Sequence, residues 1–408
     1  MKVLVIGGGA AGMMAAVAAS KKGADVILAE KNERLGKKLY ITGKGRCNIT
    51  NSAATEDFFD NVISNPKFLY SAVYSFDAGM MCSFLEEEGL KIKEERGMRI
   101  FPASDRSSDV IKTLEKALRE NKVNVRFRTQ ISDLVVKDGM FSHAVTSDGK
   151  RIYADSVIIA TGGISYKSTG STGDGYVFAK NSGHKVTSLR PSLVPLTVRE
   201  PFIRELEGLS LRNIRIEMDG YSDFGEMLFT SDGVSGPVIL SASAFLSRKI
   251  ASDKNGITLS IDLKPALSHE QLDARILRDF SENLNRDFRN SLNALLPAKL
   301  IPVIVSLSGI EYNKKVNNIT RQERSGLVKL LKDFQMTVTG TKGFDQAVVT
   351  QGGVSVKDLD PSTCRSRIVK NMYFAGEVID VDAYTGGFNL QIAWSTGHLA
   401  GCSAAEGE

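Results

Sequence analysis

The chain opens on a tight alternation of apolar runs and glycine turns. Lys2 to Ile6 (KVLVI) is a short branched apolar run, the pattern of a strand buried on both faces. Gly7-Gly8-Gly9-Ala10-Ala11-Gly12 follows at once, and Ala10 to Lys22, rich in Ala and Met, predicts a helix. Asp25 to Ala29 (DVILA) is a second strand, with Glu30 at its carboxyl end. Similar runs predict strands at Asn124 to Arg128, Ser156 to Ala160 and Met372 to Ala375. The last two end in Thr161-Gly162-Gly163 and Gly376-Glu377. A helix over Leu390 to Ala400 follows the turn Ala383 to Asn389.

The middle of the chain changes character. Residues 191 to about 265 read as strands: Leu211, Ile214, Ile216 and Met218 approximate alternation, and Ile257, Leu259, Ile261 and Leu263 alternate strictly. Residues 268 to 308 read as helices, with Leu272, Ile276, Leu277, Phe280 and Leu284 at helical spacing and Pro297 and Pro302 as breaks. Arg321 to Phe334 gives one more helix and Thr337 to Thr341 a returning strand. The expected fold class is α/β. A Rossmann-like domain, split over 1–190 and 340–408, carries an inserted substrate or cap domain at 191–339. That insert is β-rich over 191–265 and helical over 266–335, and is expected to fold over the split domain.

The first strand, glycine turn, helix and second strand form G-x-G-x-x-G inside a complete βαβ unit. Gly7 permits the tight turn, Gly9 lets backbone approach a pyrophosphate, and Gly12 lets helix pack on strand. Helix N–H groups meet phosphate charge, and Glu30 accepts hydrogen bonds from a ribose. The motif leaves the choice of dinucleotide open.

Residues 34–51 favour FAD over NAD, which makes the split domain a Rossmann-like FAD-binding domain and puts the insert over the flavin. RLGKKLYITGKGRCNITN holds Arg34, Lys37, Lys38, Lys44 and Arg46, with no acid between Glu33 and Glu56. A glycine-rich basic loop here suits a long cofactor that runs past the first βαβ unit; the alternative is a solvated basic loop. Glycines at the carboxyl ends of the later strands fall where ligands bind in open α/β sheets. The helix start near Asn389 offers partial positive charge to the flavin's electron-rich edge.

Composition narrows the class further. The 408 residues are 42% hydrophobic and 24% charged, which excludes a disordered or collagen-like chain. Net charge is +5, short of a nucleic-acid-binding composition unless focused on one face. Between Pro265 and Leu300, Arg275, Arg278, Arg286, Arg289 and Lys299 are balanced by Glu270, Asp273, Asp279, Glu282 and Asp287. No nucleic-acid partner is therefore expected. Cys47, Cys82, Cys364 and Cys402 form no C-x-x-C, so neither a dithiol centre nor a zinc site is expected, and no metal. With no signal peptide or membrane span visible, a cytoplasmic protein is expected. The 37 glycines cluster at predicted strand ends and helix starts.

The sequence resembles the two-dinucleotide-binding-motif flavoproteins, and more closely the NAD(P)/FAD-dependent oxidoreductases of the BaiN type, also labelled the aminoacetone oxidase family. The matching pieces are IGGGAAGMMAA, LGKKLYITGKGRCNITN, RIFPASDRSSDV, ATGGISYKSTGSTGDGY, LFTSDGVSGPVILSAS, AVVTQGGV and YFAGEVIDVDAYTGGFNLQIAWSTG. The resemblance implies that Gly7, Gly9, Ala11 and Gly12 hold the pyrophosphate, and Glu30 the adenosine ribose with Lys31 beside it. Lys38, Thr42, Gly45, Arg46, Cys47 and Asn48 would lie along the cofactor. Ile131 would touch adenine through its backbone, and Thr161 and Gly162 would line the adenosine half. Gly376 and Glu377 stand where related flavoproteins carry Gly-Asp, a departure that weakens the case for a ribityl contact. Gly387, Asn389, Leu390 and Gln391 would sit by the isoalloxazine.

The chemistry expected is hydride transfer between flavin and a small or medium organic substrate, either reducing an activated C=C bond or oxidising an amine. No second Rossmann motif is present, so NAD(P)H would dock transiently as donor or another reductant would serve. Tyr384 and Arg46 are the catalytic candidates: a phenol for proton transfer, or an aromatic lid; a guanidinium for substrate oxygen, or for the FAD phosphates. Cys47 reads as a packed thiol, or as a thiolate whose pKa Lys44 and Arg46 would lower. Two other classes stay open: a flavoprotein that binds or modifies RNA, and a flavin redox sensor without turnover.

Overall fold

The computed structural model describes residues 1–282 and 284–407, which divide into two compact units, 1–192 with 344–407, and 193–343.

The first unit is built on a five-stranded parallel sheet. Its strands are β1 (Lys2–Ile6), β2 (Asp25–Ala29), β3 (Asn124–Arg126), β4 (Ser156–Ile159) and β5 (Met372–Phe374), in the order β5-β4-β1-β2-β3. Between β1 and β2 runs α1 (Ala10–Lys21), and the chain ends in α2 (Phe388–Glu406). After their first residues, Lys2 and Ser156, β1 and β4 are buried apolar runs, as in a parallel sheet covered on both faces. The last helix starts two residues before the expected Leu390 and runs past Ala400. Its Trp394, the sole Trp, is wholly buried, and the indole N–H donates to Ile49 O at 2.9 Å.

Two small-residue faces let α1 and α2 pack closely. A Cβ on Gly397 or Gly401 would strike the backbone of Ala11 or Ala15. Smaller antiparallel sheets flank the main one: 131–137 with 140–146 and 151–153; 50–51 with 99–102 and 92–95; 190–192 with 349–351; and 62–64 with 382–383.

The second unit is a closed six-stranded barrel. Strands 196–198, 233–235, 221–230, 210–218, 257–262 and 334–341 follow one another around it. Closure leaves no free edge, and Ile216, Phe229, Leu259, Ile261 and Met336 fill the inside. Region 191–265 is therefore not all strand. Helices Pro237–Phe245 and Ser247–Ser252 interrupt it, the first opening on a proline that needs no N–H there. Helices His269–Ser281 and Arg321–Lys332 each start on a capping box, at Ser268 with Gln271 and at Thr320 with Glu323. Leu272, Ile276 and Phe280 are buried as the spacing predicts, but Leu277 and Leu284 are about half exposed, outside the apolar stripe. Pro302 starts helix Ile301–Leu307 where a break was expected, and Phe334 opens a strand where a helix was expected to end.

Candidate cofactor site at the carboxyl edge of the sheet

Strand register builds the site. Ile6 pairs with Ala29 and with Ile159, and Ile159 with Phe374. The turns that follow, at Gly7, Glu30, Thr161 and Gly376, therefore leave from one edge of the sheet. Gly7 has φ +105°, and a Cβ there would meet Ala160 O at 2.6 Å. A Cβ on Gly12 would collide with Gly7 O, whereas one on Gly9 would meet nothing within 4 Å. The turn is thus packed behind and open in front. The first intrahelical bond of α1 runs from Met13 N to Gly9 O, so the amides of Ala10, Ala11 and Gly12 precede it and stay available to an anion.

Glu30 is buried at the end of β2. Its Oε2 accepts from Gly8 N at 2.7 Å, and Oε1 accepts from Asn32 N at 2.7 Å and Asn32 Nδ2 at 2.6 Å. A carboxylate oxygen takes more than one donor, so these bonds leave room for ribose hydroxyls. Thr129 N donates to Glu30 O at 2.9 Å, which brings the turn before Ile131 alongside. Ile131 itself is buried and opens the strand paired with 140–146. Lys31 turns to Asp174 at 2.7 Å. Thr161 Oγ1 is buried with no partner among the described residues, and Gly162 follows it.

A polar cluster joins the two halves of the split unit. The Glu377 carboxylate accepts from Lys38 Nζ at 2.6 Å, Thr350 N at 2.8 Å and Ser165 Oγ at 3.1 Å. Gly376 N donates to Thr396 Oγ1 of α2 at 2.9 Å. Lys38 lies in a short helix, Lys37–Ile41, so the basic segment is not wholly loop. Thr42 Oγ1 donates to Leu39 O at 2.7 Å, closing that helix. A Cβ on Gly45 would meet nothing within 4 Å, the same open front as at Gly9. Asn48 Oδ1 is buried without a partner among the described residues.

Of the two readings open for Cys47, the structure supports the packed thiol, and it gives Arg46 partners within the protein. Cys47 is completely buried, and desolvation pushes its thiol up to about 12. Burial thus favours the neutral thiol, and Arg46 is engaged elsewhere: Nε donates to Asp105 at 2.8 Å, and the guanidinium also pairs with Glu95 and lies 4.3 Å from the Phe101 ring centre. Arg46 thus holds protein carboxylates, with Lys93 bridging the same two acids.

The turn before α2 is clamped. Asn389 Oδ1 accepts from Ala383 N at 3.0 Å, and Nδ2 donates to Ala383 O at 2.7 Å and Tyr384 O at 3.2 Å. Asn389 therefore orders the half-buried Tyr384. Gly387 has φ +104° and sits against Thr50, where a Cβ would collide with the Thr50 backbone. Gln391 N donates to Gly387 O at 3.1 Å, so the amides of Phe388, Asn389 and Leu390 open the helix unpaired within it. The Gln391 side chain belongs to the core: it accepts from Thr50 Oγ1 at 2.7 Å and donates to Phe76 O and Ser395 Oγ, each at 2.9 Å.

Asp382, beside this turn, carries no signal in the sequence. It is wholly buried and accepts from Gln351 at 3.0 Å and Ser192 at 3.2 Å, and desolvation raises its pKa. Ser165, Thr350, Asn32 and Asp174 were missed for a similar reason: each acts through a partner distant in sequence or masked by a turn. The open fronts at Gly9 and Gly45, the unpaired helix-start amides and the unpartnered Thr161 and Asn48 oxygens together fit an extended dinucleotide such as FAD.

Comparison with known proteins agrees. The HI0933-like protein Rossmann domain matches residues 1–403. A 3-dehydro-bile acid delta(4,6)-reductase of Clostridium scindens is 33% identical over 99% of both chains. A ribosomal RNA dihydrouridine synthase of Haemophilus influenzae is 29% identical over 98% of this chain and 97% of its own. The solved 3-ketosteroid delta1-dehydrogenase of Sterolibacterium denitrificans shares the fold, with TM-score 0.57 at 14% identity over 100% of this chain and 99% of that one. No helix among the described residues is long and apolar enough to cross a membrane. The chain belongs to the HI0933-like Rossmann family and is an FAD-dependent oxidoreductase.

Proposed function

We propose that the protein reduces a C=C bond conjugated to a carbonyl. One observation carries this reading: two relatives with unrelated substrates align over nearly the whole chain, and their names describe the same chemistry. A delta(4,6)-reduction of a 3-dehydro bile acid and the conversion of uridine to dihydrouridine both saturate a C=C that a carbonyl polarises. FAD, once bound and reduced by two electrons from NADH, NADPH or another donor, would supply the hydride. The chain's residues must then hold the cofactor, stabilise charge on the substrate carbonyl and deliver one proton to carbon.

The glycine turn, Glu30, Lys38 and the start of α2 are assigned to holding the dinucleotide. Tyr384, ordered by Asn389, is assigned to proton delivery at the α-carbon. Arg46 is placed in a supporting role, since Asp105 and Glu95 already take its donors. A small conjugated ketone is the favoured substrate class. Four basic residues of the second unit, Lys314, Lys315, Arg324 and Lys332, already pair with Glu323, Asp287, Asp273 and Asp262, which leaves them less to offer phosphate. NADH or NADPH as donor, in a reaction without a second Rossmann domain, belongs to the same proposal.

The test is anaerobic. The flavin is reduced with NADH, NADPH or dithionite, then mixed with a conjugated steroid ketone, with ribosomal RNA transcript, or with buffer. Reoxidation by the ketone is expected. Reoxidation by RNA alone would move the substrate to uridine. Bleaching of oxidised flavin by an amine, with neither acceptor active, would replace reduction by amine oxidation.

A further inference from the structure

The glycine-rich segment after β4 has no strand of its own to follow, and the Rossmann fold does not require it. Its position is nevertheless specific. In the sheet, β4 and β2 lie on opposite sides of β1. Yet the segment leaving β4 bonds to the residues leaving β2. Asn32 Nδ2 donates to Thr169 O at 3.2 Å, and Lys31 Nζ donates to Thr172 Oγ1 at 2.5 Å and pairs with Asp174 at 2.7 Å. A third tie, Lys38 Nζ to Ser165 Oγ at 2.6 Å, lies further along. These bonds carry the segment from the carboxyl end of β4 to the residues that leave β2, with β1 lying between the two strands in the sheet.

The approach is at contact distance. A Cβ on Gly170 would lie 2.5 Å from Asn32 Nδ2 and 3.3 Å from Lys31 Cε. Asn32 is also bonded to Glu30 at 2.6 Å, so the segment reaches the ribose-binding acid through one side chain. The Lys31 and Asp174 side chains are 22% and 28% exposed, which screens their attraction less than at an open surface.

We propose that residues 164–174 form a strap over the adenosine half of the dinucleotide, latched by Lys31 and Asp174, and that opening this latch sets how fast FAD leaves. The proposal rests on the assignment of this edge to FAD. Lys31 then serves the cofactor indirectly, by holding the strap.

The test is cofactor exchange on the full-length holoenzyme. FAD release is followed by the gain in flavin fluorescence, and adenosine-side binding by the affinity of the apoprotein for ADP. Lys31→Ala and Asp174→Asn are each expected to speed release about tenfold and to weaken ADP in parallel, the scale of one charge-assisted hydrogen bond. Changing both residues together should cost little more than either alone, and the exchanged pair Lys31→Asp with Asp174→Lys should recover much of the loss. Unchanged release in both single variants, or release that speeds while ADP affinity holds, would overturn the strap. Matching thermal melts of the apoproteins separate loss of the latch from misfolding, and Thr172→Val, a milder cut at the same tie, should show the same direction. Wild-type protein that binds ADP at another edge, leaving Gly9→Ala without effect on ADP or FAD, would remove the site assignment itself.

Discussion

Replacing Gly397 by alanine should drive apart two helices that pack at backbone contact. Gly397 lies in α2 against α1. An added Cβ would fall within 3.0 Å of the Ala11 carbonyl oxygen, and 3.1 Å from both the Ala11 carbonyl carbon and Cα. Backbone atoms cannot rotate aside, so α2 must withdraw by roughly 1 Å, a type of overpacking that costs about 1–3 kcal/mol. Alanine's better helix propensity returns about 1 kcal/mol, leaving a net loss of about 0–2 kcal/mol. The withdrawal also carries the start of α2 away from the glycine turn, so FAD release should quicken about tenfold, as small misplacements at a binding edge do. Gly326→Ala is the internal control. Gly326 lies in helix Arg321–Lys332, and its Cβ would meet nothing within 4 Å. There the propensity term acts alone, and stability should rise by about 0.5–1 kcal/mol. Urea unfolding followed by circular dichroism, with flavin fluorescence for release, measures both. Gly397→Ala that matches Gly326→Ala in stability and wild type in FAD release would refute the packing argument.

Further outcomes follow from the same structure. Cys47, with its thiol pushed up to about 12 by burial, should resist iodoacetamide at pH 8 in the native protein and react only after unfolding; mass spectrometry reads the site, and native labelling of Cys47 would contradict its burial. Asp382 has a raised pKa, so the folded state favours its protonated form: its contribution to stability is present below the ordinary value of 3.8 and is lost as pH rises above it. Asp382→Asn should accordingly flatten the stability profile on the neutral side, and an unchanged slope in urea titrations would show that the carboxyl is not the cause. His184 has a pKa lowered by burial, with Nε2 2.6 Å from Ser366 Oγ, so the folded state resists its protonation and stability should fall as pH drops below 6.5. His184→Gln should lessen that fall. Asn389→Ala should retain FAD but slow substrate reduction about tenfold, because Tyr384 loses its clamp. Equal turnover would remove Tyr384 from the proton step.

The first βαβ unit was legible because every signal in it is local. A branched apolar run, a glycine turn and an Ala-rich helix each declare themselves within a few residues, and the observed bounds of β1 and β2 match the pattern. The helix at Pro237–Phe245 was not legible, since Val238, Ile239 and Leu240 in a row carry the same signal as a buried strand. Only the Pro after Gly236 pointed the other way. Barrel closure was hidden for a different reason: it depends on pairing between 196–198 and 334–341, far apart in the chain. At the site, the residue types were readable but their partners were not. Lys44 and Arg46 beside Cys47 suggested a thiolate, yet Cys47 turns inward at φ +62° while Arg46 turns out to Glu95 and Asp105. Glu377 looked like a departure from a ribityl-binding acid. The structure gives it a defined place, as acceptor for Lys38, Ser165 and the Thr350 amide.

The most direct test of the whole account is one anaerobic stopped-flow trace. Reduced holoenzyme is mixed with a conjugated ketone, and the oxidised flavin band is followed while the product is trapped for mass spectrometry. The account predicts that the band returns at a rate that rises with ketone concentration, and that one equivalent of ketone gains two hydrogens at the C=C. A flavin that stays reduced in the presence of conjugated ketones and of uridine-containing RNA alike would contradict it.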